Sequence, residues 1–197
     1  MRKIYVLLAL LILFSSVLLN ASQRVIVGEV FTETWWGYCP DARAALLEMY
    51  ETVDNFAPVI WEGDGAHPSP NYTTRYSDYG VAALPSSAFN GDTFDIGGGG
   101  AVLSRYQAIY NDLIDLPSPM EIDVAMNVLE NNQLEINADV LVTEDTPTRT
   151  EYRFIYTLTY HYTDSYNSTV VRYYEEDYTL FTNGDMGTFT HTFDLDP

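Results

Sequence analysis

Cys39 is the single thiol in a chain of 197 residues, and it closes the run Trp35-Trp36-Gly37-Tyr38-Cys39-Pro40. Thiol–disulfide exchange needs one thiolate to attack and a second thiol to release the mixed disulfide. With one thiol that cycle cannot close within the molecule, and no internal disulfide can staple the core. Cys39 is therefore either buried and inert or exposed and reactive. Trp35, Trp36 and Tyr38 crowd three aromatic rings directly ahead of it.

Other residues offer less. Gly97-Gly98-Gly99-Gly100 ahead of a helix could cradle phosphate through backbone N–H groups. It lacks the lysine and Ser/Thr spacing of a P-loop, so a flexible lead into that helix is the simpler reading. His67, His161 and His191 fall on three distant segments without zinc-like pairing, so no metal is expected. Asp-rich turns at Glu62 to Gly65, Thr163 to Asn167 and Asn183 to Asp185 would suit calcium chemically, but none has EF-hand spacing. No G-x-S-x-G elbow supports serine nucleophilic chemistry at Ser86-Ser87. The tyrosines between Tyr152 and Tyr178 suggest either a sugar- or peptide-binding strip or, more simply, cross-strand packing.

Charge narrows the partners. The chain carries a formal charge of -19, and its one lysine is Lys3. Such a surface repels nucleic acid and anionic lipid; it suits calcium binding or a basic partner, or more simply a well-hydrated surface in a salty or extracellular setting. Met1-Arg2-Lys3 followed by the apolar run Ile4 to Leu19 and by Ala21-Ser22 reads as a secretory signal peptide over 1–22. The rival reading is an uncleaved membrane anchor, because the run approaches spanning length. With cleavage, no transmembrane segment follows, and the protein belongs in the periplasm, on the outer-membrane surface or outside the cell.

The elements that must position the Trp35–Cys39 turn can be read from periodicity. Val25, Val27, Val30 and Phe31 mark a buried strand. Pro40 and Asp41 suit a first helical turn, and Ala42, Leu46, Met49, Tyr50 and Val53 repeat at helical spacing. Ala57 to Trp61 reads as a second strand parallel to the first, and Tyr72 to Tyr79 as a short helix. Ser86 to Asn90 and Thr93 to Ile96 form a hairpin across Asn90-Gly91. A helix with Val102, Tyr106, Ile109, Tyr110 and Leu113 on its apolar face follows. The order is β-α-β-α-β-β-α.

Pro117 and Pro119 then place a boundary near residue 116, giving domains 23–116 and 117–197. Beyond it the period becomes two: Ile122, Val124, Met126 and Val128, then Leu134, Ile136, Ala138, Val140 and Val142. Further strands are expected at 151–162, 170–174, 178–181 and 188–195. One-sided alternation of this kind predicts an antiparallel β-sandwich, immunoglobulin-like in architecture. The chain stops without a terminal turn, which leaves room for that sandwich to be incomplete.

Two segments resemble the thioredoxin-like superfamily. Phe31 to Pro40 is similar to the F-x-A-x-W-C-G-Y-C-P form of exported members, and Tyr79 to Ser86 with Phe89-Asn90-Gly91 resembles the cis-proline segment that faces it. The layout with a Tyr-rich β-domain resembles outer-membrane-associated thioredoxin-like proteins, as does His161-Tyr162 followed by Val170-Val171-Arg172. The resemblance implies that Trp36 replaces the attacking cysteine, that Cys39 holds the resolving position one turn deeper, and that Leu84-Pro85 carries the cis bond. An enzyme stabilises its first thiolate at a helix N-terminus; an indole has no such chemistry.

The first expectation is thus an exported thioredoxin-like module without the redox dithiol and without a cofactor. It would bind a protein or peptide, or serve envelope assembly, through Trp35, Trp36, Tyr38, Leu84 and Pro85. The alternative is a monothiol oxidoreductase in which Cys39 is catalytic and an external thiol resolves the mixed disulfide. A third reading makes the first domain a spacer and the β-domain the binder.

Overall fold

The computed structural model describes residues 23–147, 152–162 and 167–195. The apolar leader read over 1–22 and most of the Asp-rich turn at 163–167 lie outside the described residues. Among those described, no helix is long and apolar enough to cross a membrane.

The first half follows the predicted order: β1 (Ile26–Thr32), α1 (Cys39–Thr52), β2 (Phe56–Glu62), α2 (Tyr72–Asp78), β3 (Ser86–Phe89), β4 (Thr93–Ile96) and α3 (Val102–Ile114). β1 and β2 run parallel in unbroken register from Ile26↔Phe56 to Thr32↔Glu62, and β3 runs antiparallel to β1. Helices cover both faces of this sheet, which is why β1 and β2 are buried almost continuously rather than alternately. On one face α1 and α3 bury Ala42, Leu46, Met49, Val102 and Tyr106 against Ile26, Val30, Ile60 and Phe89. On the other, Tyr72, Tyr76 and Tyr79 pack against Phe31 and Trp61. Tyr50, read as part of the α1 stripe, is instead exposed, one position off the stripe formed by Ala42, Leu46 and Met49. The β3–β4 loop Asn90–Asp92 centres its turn on Asn90 and Gly91, both at positive φ, as a type I′ turn requires.

The second half contributes β5 (Met120–Leu129), β6 (Gln133–Val142), β7 (Arg153–Tyr160), β8 (Thr169–Asp177) and β9 (Met186–Asp194). They divide between two sheets. β7 and β8 extend the first sheet, whose order is β4-β3-β1-β2-β8-β7, while β5-β6-β9 form a separate antiparallel sheet. The join is slight, a parallel pairing of Ile60 with Thr169. The stretch 178–181, expected as a strand, is irregular: the Phe181 and Thr182 N–H groups donate to the Asp185 carboxylate instead of to a neighbouring strand.

The two sheets face one another across an aromatic layer. Tyr156 of β7 is buried with Leu134, Ile136 and Phe193. Phe154 stacks on Phe189 at 4.3 Å, and Tyr174 of β8 stacks on His191 of β9 at 3.8 Å. Tyr156 and Tyr174 thus serve the packing between sheets, whereas Tyr160 is exposed and Tyr173 packs against Trp61 on the opposite face.

Candidate functional site

The turn from Trp35 to Pro40 leaves the end of β1 and begins α1. Its backbone is tied by Trp36 N–H to Glu33 O and by Cys39 N–H to Trp36 O. Tyr38 is the N-cap and Pro40 occupies the first helical turn, where a missing N–H costs nothing. The side chains part in two directions. Trp35, Trp36 and Tyr38 are 65%, 40% and 57% exposed, whereas Cys39 is 1% exposed. Trp36 lies between the other two, its ring centroid 5.6 Å from Trp35 and 6.3 Å from Tyr38. Three rings in edge and tilted contact make a contiguous aromatic surface in water.

Acidic groups hold this surface from behind. The Glu33 carboxylate accepts the Trp35 indole N–H and the Tyr72 hydroxyl. Asp64 accepts the N–H and hydroxyl of Thr34 at 2.6 and 2.9 Å, which fixes the start of the turn. From the other side, the glycine run docks against it. A Cβ on Gly98 would sit 2.3 Å from the Tyr38 carbonyl oxygen, and Gly99 N–H donates to Asp41. At Gly98 the run is thus packed against the turn, whereas a Cβ on Gly97, Gly99 or Gly100 would meet nothing within 4 Å.

Leu84 and Pro85 take a supporting place. The Leu84–Pro85 bond is cis. Pro85 is buried and its carbonyl accepts Gly97 N–H, while Leu84 packs partly buried into the Phe31–Trp61 cluster. The exposed part of the expected set is thus Trp35, Trp36 and Tyr38.

Cys39 points inward. Its Sγ accepts Glu33 N–H at 3.4 Å. Burial pushes the thiol pKa up; the Glu33 hydrogen bond pulls it down, Glu62 adds to the rise, and Arg43 opposes it. A cleft of about 310 Å³ passes this point, lined by Glu33, Thr34, Cys39, Pro40, Arg43 and Leu47 among others.

Sequence reasoning missed the polar groups inside the first sheet. Glu62, read as the start of a loop, is the fully buried last residue of β2, paired with Arg43 of α1 and with the Thr32 hydroxyl. Burial raises its carboxyl to about 7 against the pull of Arg43. Glu29 in β1 is also buried, and it accepts the Trp61 indole N–H, the Nε and Nη2 donors of Arg75 and the Tyr79 hydroxyl. An acid within an apolar strand sequence was the available signal; its partners, distant along the chain, were not visible. Among the described residues no three His, Cys, Asp or Glu side chains converge as a metal site would require.

Strand order, three covering helices and the cis-proline ahead of β3 define a thioredoxin-like fold joined to a second β-layer. Among solved structures, the chain is similar to HBP35 of Porphyromonas gingivalis, at a TM-score of 0.66 and 16% identity over 88% of this chain. It spans 65% of the length of that protein. Thioredoxin O2 from Arabidopsis thaliana aligns with 52% of the chain and 87% of its own at 19% identity and a TM-score of 0.36. A Schistosoma mansoni thioredoxin aligns with 51% and 90%, respectively, at 18% identity and a TM-score of 0.37. No family model and no curated protein matches the sequence.

Proposed function

We propose that this protein is an exported, redox-inactive thioredoxin-like binding module that holds a protein or peptide partner against Trp35, Trp36 and Tyr38. One observation carries the reading: the turn turns three aromatic rings to water and its only thiol away from it. Large rigid rings lose little entropy on contact and dominate interface energetics. The basic start and apolar run of 1–22 support export to the periplasm, the outer-membrane surface or the medium, where a role in envelope assembly would fit. The facing β-layers support an immunoglobulin-like sandwich, shared in part with the first sheet.

The alternative, a monothiol oxidoreductase using Cys39, draws support from the cleft that borders this residue. The two readings separate by mutation. Trp36→Ala should weaken capture of a bound peptide at least tenfold, about 1.4 kcal/mol, while Cys39→Ser leaves it unchanged. Indole fluorescence titrated with an extended-peptide library reads both. Glutathione-dependent turnover abolished by Cys39→Ser would establish the alternative instead.

A further inference from the structure

The sheet β5-β6-β9 is covered unevenly. Residues directly opposite in an antiparallel pair share a face, so Ile122, Val124, Met126 and Val128 lie on the same face as Val140, Ala138, Ile136 and Leu134. The β6 members are 3%, 1%, 9% and 8% exposed; the β5 members are 46%, 59%, 65% and 75% exposed. The cause is the position of the other layer. β8 lies over β9, where Tyr174 stacks on His191, and β7 lies over β6, where Tyr156 meets Leu134 and Ile136. The first sheet ends at β7. Among the described residues the second sheet therefore projects by one strand, and beside β7 there is a gap one strand wide above an apolar stripe.

We propose that the gap is filled by a second copy of this chain, in a two-fold lap joint. Each β5 lies in the other copy's gap, its apolar stripe stacked on the other stripe and its outer edge beside the outer edge of the other β7. A projection of one strand meets a recess of one strand, so the shape is self-complementary, as a two-fold interface requires. The stripe is continuous with the core between the sheets and carries no charged side chain. Glu121, Asp123 and Asn127, on the opposite face of β5, keep their water in the joint. This matters because two copies each at -19 repel elsewhere. Alternate β5 residues, Ile122, Val124, Met126 and Val128, meet the other stripe, and the edges of β5 and β7, 10 and 8 residues long, run side by side, a modest contact beside the roughly 20–30 residues a side of a standard interface. The edge itself is ten residues long, without proline, lysine or bulge, and its two charges, Glu121 and Asp123, lie on the face turned away from the stripe.

The purified protein should sediment as a dimer at micromolar concentration, and added salt should tighten it by screening like charge. Val124→Glu places a charge in the stacked stripes and should weaken the dimer by about a hundredfold or more. Its far-ultraviolet circular dichroism should not change, since Val124 is exposed in the single copy. Ala125→Glu, on the opposite face, should leave the dimer intact. Amide exchange should show concentration-dependent protection of both β5 and β7. A monomer at 100 micromolar (roughly the top of the weak-interface range) would overturn the proposal. So would a dimer indifferent to Val124→Glu, or protection of β5 alone, which would mean edge-to-edge pairing. A monomer that takes up an alternating apolar peptide in the gap would assign the face to another chain's strand and likewise overturn it.

Discussion

Glu29 and Glu62 are buried in adjacent strands of one sheet, yet their surroundings differ in a way that bears on the turn above them. Glu29 is saturated: an indole, a forked guanidinium and a phenol donate to its two oxygens. Glu62 is half satisfied. Its Oε2 receives Arg43 and Thr32, whereas its Oε1 has no hydrogen-bond partner among the described residues. A saturated buried acid fastens α2 to the sheet. A half-satisfied one keeps its proton up to about pH 7, and it lies where it raises the Cys39 thiol as well. The ground beneath Cys39 therefore works against a thiolate, the reverse of what a nucleophile needs.

Breaking the saturated site should cost most. Glu29→Gln leaves the buried Arg75 without its counter-charge and should destabilise the fold by about 3–5 kcal/mol, read from urea unfolding. Glu62 should reveal itself in the pH dependence. Between its ordinary pKa of 4.5 and about 7 only the folded state retains the proton. Stability should therefore fall as pH rises across that window, by at most about 3 kcal/mol. Glu62→Gln, which cannot titrate, should remove that slope, whatever its effect on absolute stability. If the slope survives, the comparison between the two acids fails. Gly98→Ala sharpens it from the turn's side: a methyl group driven onto the Tyr38 carbonyl should cost about 1–3 kcal/mol. It should also shift tryptophan emission by moving the aromatic surface.

How far the sequence reached depended on the range of the interaction. The α1 and α3 stripes, the hairpin at Asn90-Gly91 and the buried β6 alternation all follow from local period and turn chemistry, and the structure contains them. Alternation, however, says only that a strand has two unlike faces. It does not say what covers the apolar one, so β5 reads like β6 although its stripe is bare. Nor could it assign β7 and β8 to the first sheet, a choice made through Ile60 and Thr169, far apart in the chain. At the turn the residue types showed one thiol and three rings. That the rings face water and the thiol does not depends on Glu33 at the head of the turn and on Asp64 and Gly98, which bind it from separate segments. Buried pairs such as Glu29–Arg75 are likewise invisible until the fold brings helix and strand together.

The central claim is that this turn presents aromatic rings for binding and withholds its thiol. The most direct test is the alkylation rate of Cys39 across pH in the folded protein, against the same chain denatured. The account predicts labelling that is slow when folded, rises only above the free-thiol value of about 8.5, and becomes fast on unfolding. Rapid labelling of the folded protein at neutral pH, with a thiolate formed well below that value, would contradict it and make Cys39 a working nucleophile.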